Sequence, residues 1–151
     1  MFEILVYLFE SYIDAGSYPD SEKLSMKLAA AGFEDDDIHL TLTWLAGLSQ
    51  LSAANYPEAI NQSGFRYYAD LEIERISDDA RRFLVYLEQN NVIAPIEREM
   101  IIDRAVAAGH EELSLDKIKL IALMVLWNLH SELDPMLIEE LLMPADFGLL
   151  H

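Results

Sequence analysis

The sequence predicts an all-α fold, a compact helical domain of about six to seven helices over residues 1–151. Three observations carry this. Apolar residues recur at helical spacing in one segment after another, as in Phe2, Leu5, Val6, Phe9, Tyr12 and Ile13. Capping residues and helix-ending glycines or prolines separate those segments. The composition is 52% hydrophobic with only six glycines and five prolines in 151 residues, enough apolar material for a sizeable core. A chain of this length buries roughly 70% of the surface its unfolded form exposes, so it needs no metal or disulfide to hold it together.

The first helix covers residues 2–14 and is broken by Ala15, Gly16, Ser17, Tyr18 and Pro19. Asp20 or Ser21 caps the second, 22–31, and Gly32 supplies the left-handed residue that ends it. Phe33 then turns into the core. The third helix, 34–48, opens among Glu34, Asp35, Asp36 and Asp37, whose carboxylates meet the partial positive charge of a helix N-terminus. It continues through Ile38, Leu42, Leu45 and Leu48.

Residues 51–64 are mostly small and polar, contain Pro57, and read as a loop or insertion. Phe65, Tyr67 and Ala69 alternate with Arg66, Tyr68 and Asp70, so at most a minor strand pair is expected near 65–69, with a helical turn starting soon after at Leu71. Ser77 caps the next helix, which carries Asp78 and Asp79 in its first turn and Phe83, Leu84 and Leu87 on its apolar face. Pro95 suits the first position of another, running to Ala108 before Gly109.

Ser114 or Asp116 opens the most apolar helix, which ends near Leu129. Its apolar stretch from Ile118 is about 12 residues against the ~20 that span a bilayer, so it reads as a buried helix. Asp134 and Pro135 form a cap and first position for a last short helix stopped by Pro144, and the terminal residues 147–151 are expected on the surface or in a groove.

Two stretches echo each other. Leu5-Val6-Tyr7-Leu8, Ala30-Ala31-Gly32 and Ile38-x-Leu40 return as Leu84-Val85-Tyr86-Leu87, Ala107-Ala108-Gly109 and Ile118-x-Leu120, though at unequal intervals. The echo fits two three-helix units in one domain, which divides into an N-terminal three-helix unit, 1–50, a loop with a short strand or turn, 51–76, and a C-terminal helical unit, 77–151. The first unit is the expected working surface and the second the core, because only the first carries a run of four acids before its third helix.

The formal charge of −17, from 27 acidic and 10 basic residues, attracts basic partners and repels phosphate backbones and anionic membranes. Three helices and a short strand are the order of a winged helix, and its recognition helix would then begin at Glu34. No lysine or arginine occurs between Lys27 and Arg66, which removes the phosphate neutralisation that supplies most non-specific duplex affinity. Duplex DNA binding is therefore not expected, and the contact predicted for Glu34, Asp35, Asp36 and Asp37 is with a basic protein.

Arg66, Arg75, Arg81, Arg82, Arg98 and Arg104 form the alternative, a basic patch for a nucleic acid or an acidic partner. Arg75 with Asp79 and Arg82 with Asp78 have the spacing of helical ion pairs instead. Tyr67, Tyr68, Trp44 and Trp127 are expected as core or half-buried packing.

Chemistry finds little to build on. Without cysteine there is no thiolate ligand, nucleophile or disulfide. His39, His110, His130 and His151 lack zinc spacing, the acidic run lacks calcium-loop spacing, and no glycine-rich phosphate loop or nucleophile elbow occurs. No metal, cofactor or catalytic residue is expected. A third possibility is an enzyme with a carboxylate site that no motif marks. The N-terminal stretch has Glu3 where a signal peptide carries a cation, so it is not read as a signal, and the absence of cysteine is compatible with a reducing cytoplasm.

The residues also resemble a family. The opening decapeptide from Met1 to Glu10, the Ala31-Gly32-Phe33 turn with Trp44-Leu45, Phe83 to Glu88, Arg98 to Arg104, Leu115 to Leu120 and Met124 to Asn128 are together similar to the Smg family, bacterial proteins of unknown function. The resemblance covers nearly the whole chain except 51–64. It implies a small cytoplasmic protein, often encoded near a gene for a DNA-processing protein, and brings no activity or site residues. The expected function is a non-enzymatic interaction or regulatory module. The alternative is an accessory factor in DNA processing or uptake, and self-association is compatible with either.

Overall fold

A computed structural model describes residues 1–56, 66–130 and 132–143. They form eight α-helices: α1 (Phe2–Tyr12), α2 (Ser21–Ala30), α3 (Asp35–Ser49), α4 (Asp70–Arg75), α5 (Asp78–Gln89), α6 (Pro95–Ala107), α7 (Leu115–Leu129) and α8 (Pro135–Leu142), with one 3-10 turn, Ala53–Asn55. The fold is all-α, with more helices than the six to seven expected because α4 is a separate element.

The anticipated caps are in place. Asp20, Ser77 and Ser114 accept from the backbone N–H of Lys23, Ala80 and Lys117 at 3.2, 3.2 and 3.4 Å, and Asp134 accepts from Met136. The Ala-Ala-Gly echo marks two helix stops. Gly32 ends α2 at φ +101°, and its N–H and that of Phe33 close back on the carbonyls of Ala29 and Leu28. Gly109 also has positive φ, but there the carbonyls of Val106 and Gly109 accept from the Arg75 guanidinium.

No strand occurs among the described residues. Phe65 lies outside them, and 66–69 have no regular secondary structure. Their alternation runs in the opposite sense to the one expected: Arg66 and Tyr68 are half-buried, while Tyr67 is 88% exposed. Inward charge is tolerated because Arg66 meets carboxylates there. The one β-type contact is an isolated parallel bridge, in which Leu113 N–H donates to the Arg75 carbonyl at 2.7 Å and Ser77 N–H to the Leu113 carbonyl at 3.1 Å.

Helix α7 is the axis of the molecule. Every residue from Ile118 to Trp127 is buried, and the helix packs against α1, α3, α5, α6 and α8. The echoed leucines explain why: Leu5 and Leu8 of α1 and Leu84 and Leu87 of α5, one turn apart, are each buried in the same core. A buried leucine contributes about 1.5–3 kcal/mol relative to an exposed one, so the two copies of the motif act mainly through these four side chains. No described helix is long and apolar enough to cross a membrane.

Candidate functional site

The third pair of echoed motifs separates the two halves of the chain. Ile118 and Leu120 are both buried in α7, whereas in α3 Ile38 is buried and Leu40 is 60% exposed. Leu40 is off the buried stripe of α3, made by Ile38, Thr41, Trp44, Leu45 and Leu48. It lies instead on an exposed stripe with Asp36 and Thr43, at i, i+4 and i+7. On α2, Met26 lies opposite the buried Leu24 and Leu28 and is 74% exposed.

Glu34 is the residue before α3, and Asp35, Asp36 and Asp37 occupy its first turn. All four are exposed. Among the described residues no lysine, arginine or histidine forms an ion pair with any of them. Their electrostatic partner is the helix itself, whose N-terminal N–H groups stabilise each nearby carboxylate by about 0.3–1 kcal/mol. The charge is thus held in place while remaining available to solvent. Sequence reasoning missed Met26 and marked Leu40 only as part of the echo, not as a surface residue. The available signal was Leu40 falling two residues after Ile38, out of phase with the stripe that continues through Leu45.

The six central arginines do not form one patch. Arg66 ties the segment before α4 to α6: it donates to both oxygens of Glu72 at 2.8 and 2.9 Å and to both oxygens of Glu99 at 2.9 and 3.0 Å. Arg98 shares Glu99 at 2.9 Å and reaches Glu88 of α5 at 2.5 Å. Arg81 and Arg66 both lie over the Tyr68 ring, with centroid distances of 5.8 and 5.0 Å. Within this cluster the Tyr68 hydroxyl and Arg81 Nε are buried without a hydrogen-bond partner.

Arg104 donates to the Trp44 carbonyl at 3.1 Å, while the Trp44 indole donates to the Arg104 carbonyl at 2.9 Å, joining α3 to α6. Arg75 does not pair with Asp79. The two residues belong to different helices, with extended Ile76 between them, and Arg75 turns to the end of α6. Arg82 pairs with Asp78 at 2.9 Å, as its spacing predicts, and at 77% exposure is the outward-facing member of the set.

The cluster stays charged. Hydrogen bonding to Arg66 holds the Glu72 carboxyl below the ordinary range. For Glu99 burial pushes upward, but the guanidinium groups of Arg66 and Arg98 outweigh it and the net shift is down. The Arg66 guanidinium is correspondingly pushed up by its two carboxylates. These groups fit mutual neutralisation, since each side of the pair stabilises the charge of the other. Among the described residues no group of three or more metal-ligating side chains converges on a common point. Of the tyrosines and tryptophans expected inside, Trp44 and Trp127 are buried and Tyr68 is half-buried, while Tyr67 is the exception already noted.

A family model described as "Protein of unknown function (DUF494)" matches residues 1–151. Three similar proteins are Smg homologs. That of Azoarcus sp. (strain BH72) is 46% identical across 97% of this chain and 95% of its own length. That of Chromobacterium violaceum is 43% identical across 98% and 97%. That of Nitrosomonas europaea is 42% identical across the full length of both. No solved structure matches. Full-length identity at this level leaves no segment of the fold outside the comparison, and the chain belongs to the Smg family.

Proposed function

We propose that this chain is a non-enzymatic interaction module of the cytoplasm that docks the first turn of α3 on a basic protein surface. The observation that carries this is the set of four exposed carboxylates, Glu34 to Asp37, without a described cationic partner, beside the exposed Leu40. Charge supplies long-range attraction, and Leu40 supplies apolar area that is buried only in a complex. The −17 net charge favours a basic partner over a phosphate backbone.

The arginines bear on the nucleic-acid alternative. Arg66, Arg75, Arg98 and Arg104 donate to protein carboxylates or carbonyls, which leaves few cations for phosphate.

The test compares the native chain with a variant carrying Asp35→Lys, Asp36→Lys and Asp37→Lys, and with Leu40→Glu, in affinity capture from native cells. Loss of one shared basic partner from both variants is the expected result. An unchanged set of captured proteins removes the proposed contact. A salt titration against DNA and RNA runs alongside, and sub-micromolar binding at physiological salt that weakens steeply as salt rises would establish the nucleic-acid reading instead.

A further inference from the structure

Helices α3 and α7 end side by side, and a cavity of about 210 Å³ lies between their last turns. The loop joining α1 to α2, where Gly16 has φ +85°, lines one side of it and leaves it open to solvent. Its walls are Ser17 and Tyr18 of that loop, Leu48 of α3, and Met124, Trp127 and Asn128 of α7. None of these side chains is charged.

Two features favour positive over negative charge in this space. The last turns of two helices meet there, and neither contains a basic residue to offset the partial negative charge of its carbonyls. Arg104 reaches α3 a turn earlier, at the Trp44 carbonyl, and His130, just past α7, gives its imidazole to Glu97 at 2.6 Å. The Asn128 amide N–H donates to the Leu48 carbonyl at 3.3 Å, so its carbonyl oxygen remains as an acceptor.

The rings of Tyr18 and Trp127 meet edge to face at 5.6 Å and form an aromatic corner. Elsewhere the chain covers Phe2, Tyr12, Trp44, Tyr68 and Phe83 with its own lysines or arginines, but no cation of the described residues stands over Tyr18 or Trp127. Aromatic rings, helix carbonyl ends and an uncharged wall suit an organic cation, whose weakly hydrated methyl or methylene groups fill apolar space while its charge is attracted to the π-systems.

We propose that this cavity binds a small alkylammonium ion of about the size of choline. The site is independent of the acidic first turn of α3, at the other end of that helix.

The chain has two tryptophans, so its indole N–H groups give two resolvable NMR signals. Titration with choline and with tetramethylammonium is expected to move the Trp127 signal saturably at millimolar concentrations. The Trp44 signal, held by the Arg104 carbonyl, stays in place and reports that the fold is intact.

Ser17 is exposed, so its substitution leaves the core untouched. Ser17→Lys places a competing ammonium at the mouth and weakens binding roughly tenfold or more, while Ser17→Asp strengthens it. The neutral isostere 3,3-dimethylbutanol separates charge from shape. Equal binding of the isostere, equal affinities of the two Ser17 variants, or no movement of the Trp127 signal would each overturn the proposal.

Discussion

Replacing Gly47 with alanine inverts the usual effect of that substitution in a helix. Alanine is favoured over glycine in a helix interior by about 1 kcal/mol, and Gly47 lies within α3. A Cβ built there meets Arg104 Nη1 at 2.3 Å and Cζ at 2.9 Å, so Nη1 has to retreat to the 3.4 Å of an ordinary contact. The same nitrogen donates to the Trp44 carbonyl at 3.1 Å, and the guanidinium lies over the Trp44 ring. A retreat of that size takes the hydrogen bond out of range. A charge-assisted bond of this kind contributes about 1.5–3 kcal/mol, which exceeds the helical gain, so Gly47→Ala destabilises by roughly 0.5–2 kcal/mol. In an Arg104→Met background the obstruction is gone and Gly47→Ala stabilises by up to about 1 kcal/mol. Urea unfolding of the four proteins, compared at constant denaturant slope, measures both signs. Stabilisation by Gly47→Ala in the presence of Arg104 would refute the reasoning.

Gly32 offers the opposite case. Nothing lies within 4 Å of an added Cβ, so Gly32→Ala costs only backbone strain at φ +101°, about 1–2 kcal/mol, visible as a lowered urea midpoint. Glu99→Gln leaves Arg66 and Arg98 without their shared carboxylate and is expected to cost about 2–4 kcal/mol in the same assay, against near-neutrality for an exposed loop control such as Glu111→Gln. The depressed carboxyls of Glu72 and Glu99 bind protons less readily folded than unfolded, so their contribution is complete above their unfolded value near 4.5 and declines as pH falls through their folded values. Thermal unfolding midpoints should therefore fall below about pH 4.5, and less steeply for Glu99→Gln than for the native chain; parallel profiles would exclude the cluster as the cause.

Local signals were legible in the sequence and long-range ones were not. Asp20, Ser77, Ser114 and the Asp134-Pro135 pair announce helix starts because a cap acts on N–H groups two or three residues away. Gly32 announces a stop for the same reason. The arginines depend on partners distant in the chain: Arg66 meets Glu99 across 33 residues and Arg104 meets Trp44 across 60. Helical spacing correctly paired Arg82 with Asp78, but failed for Arg75 because it assumed one continuous helix where Ile76 divides two. The acidic turn was visible as a run of letters, whereas the exposure of Leu40 beside it depends on which face of α3 the core takes. No periodicity signalled the cavity by Trp127, since its walls come from three separate parts of the chain.

The central position of α7 sets a schedule for synthesis. Leaving the ribosome at about 5–20 residues per second, the chain completes α3 some 4–16 s before the far end of α7 emerges, and the Asn128 to Leu48 contact closes over that gap of 80 residues. Until then Leu5, Leu8, Leu45 and Leu48 lack the helix against which they pack. The nascent protein thus carries an open apolar seam through most of its translation. The exposed acids of those same early helices, Glu3 and Glu10 of α1 and Asp35 to Asp37 of α3, give that seam a like-charged surround that opposes association between neighbouring chains.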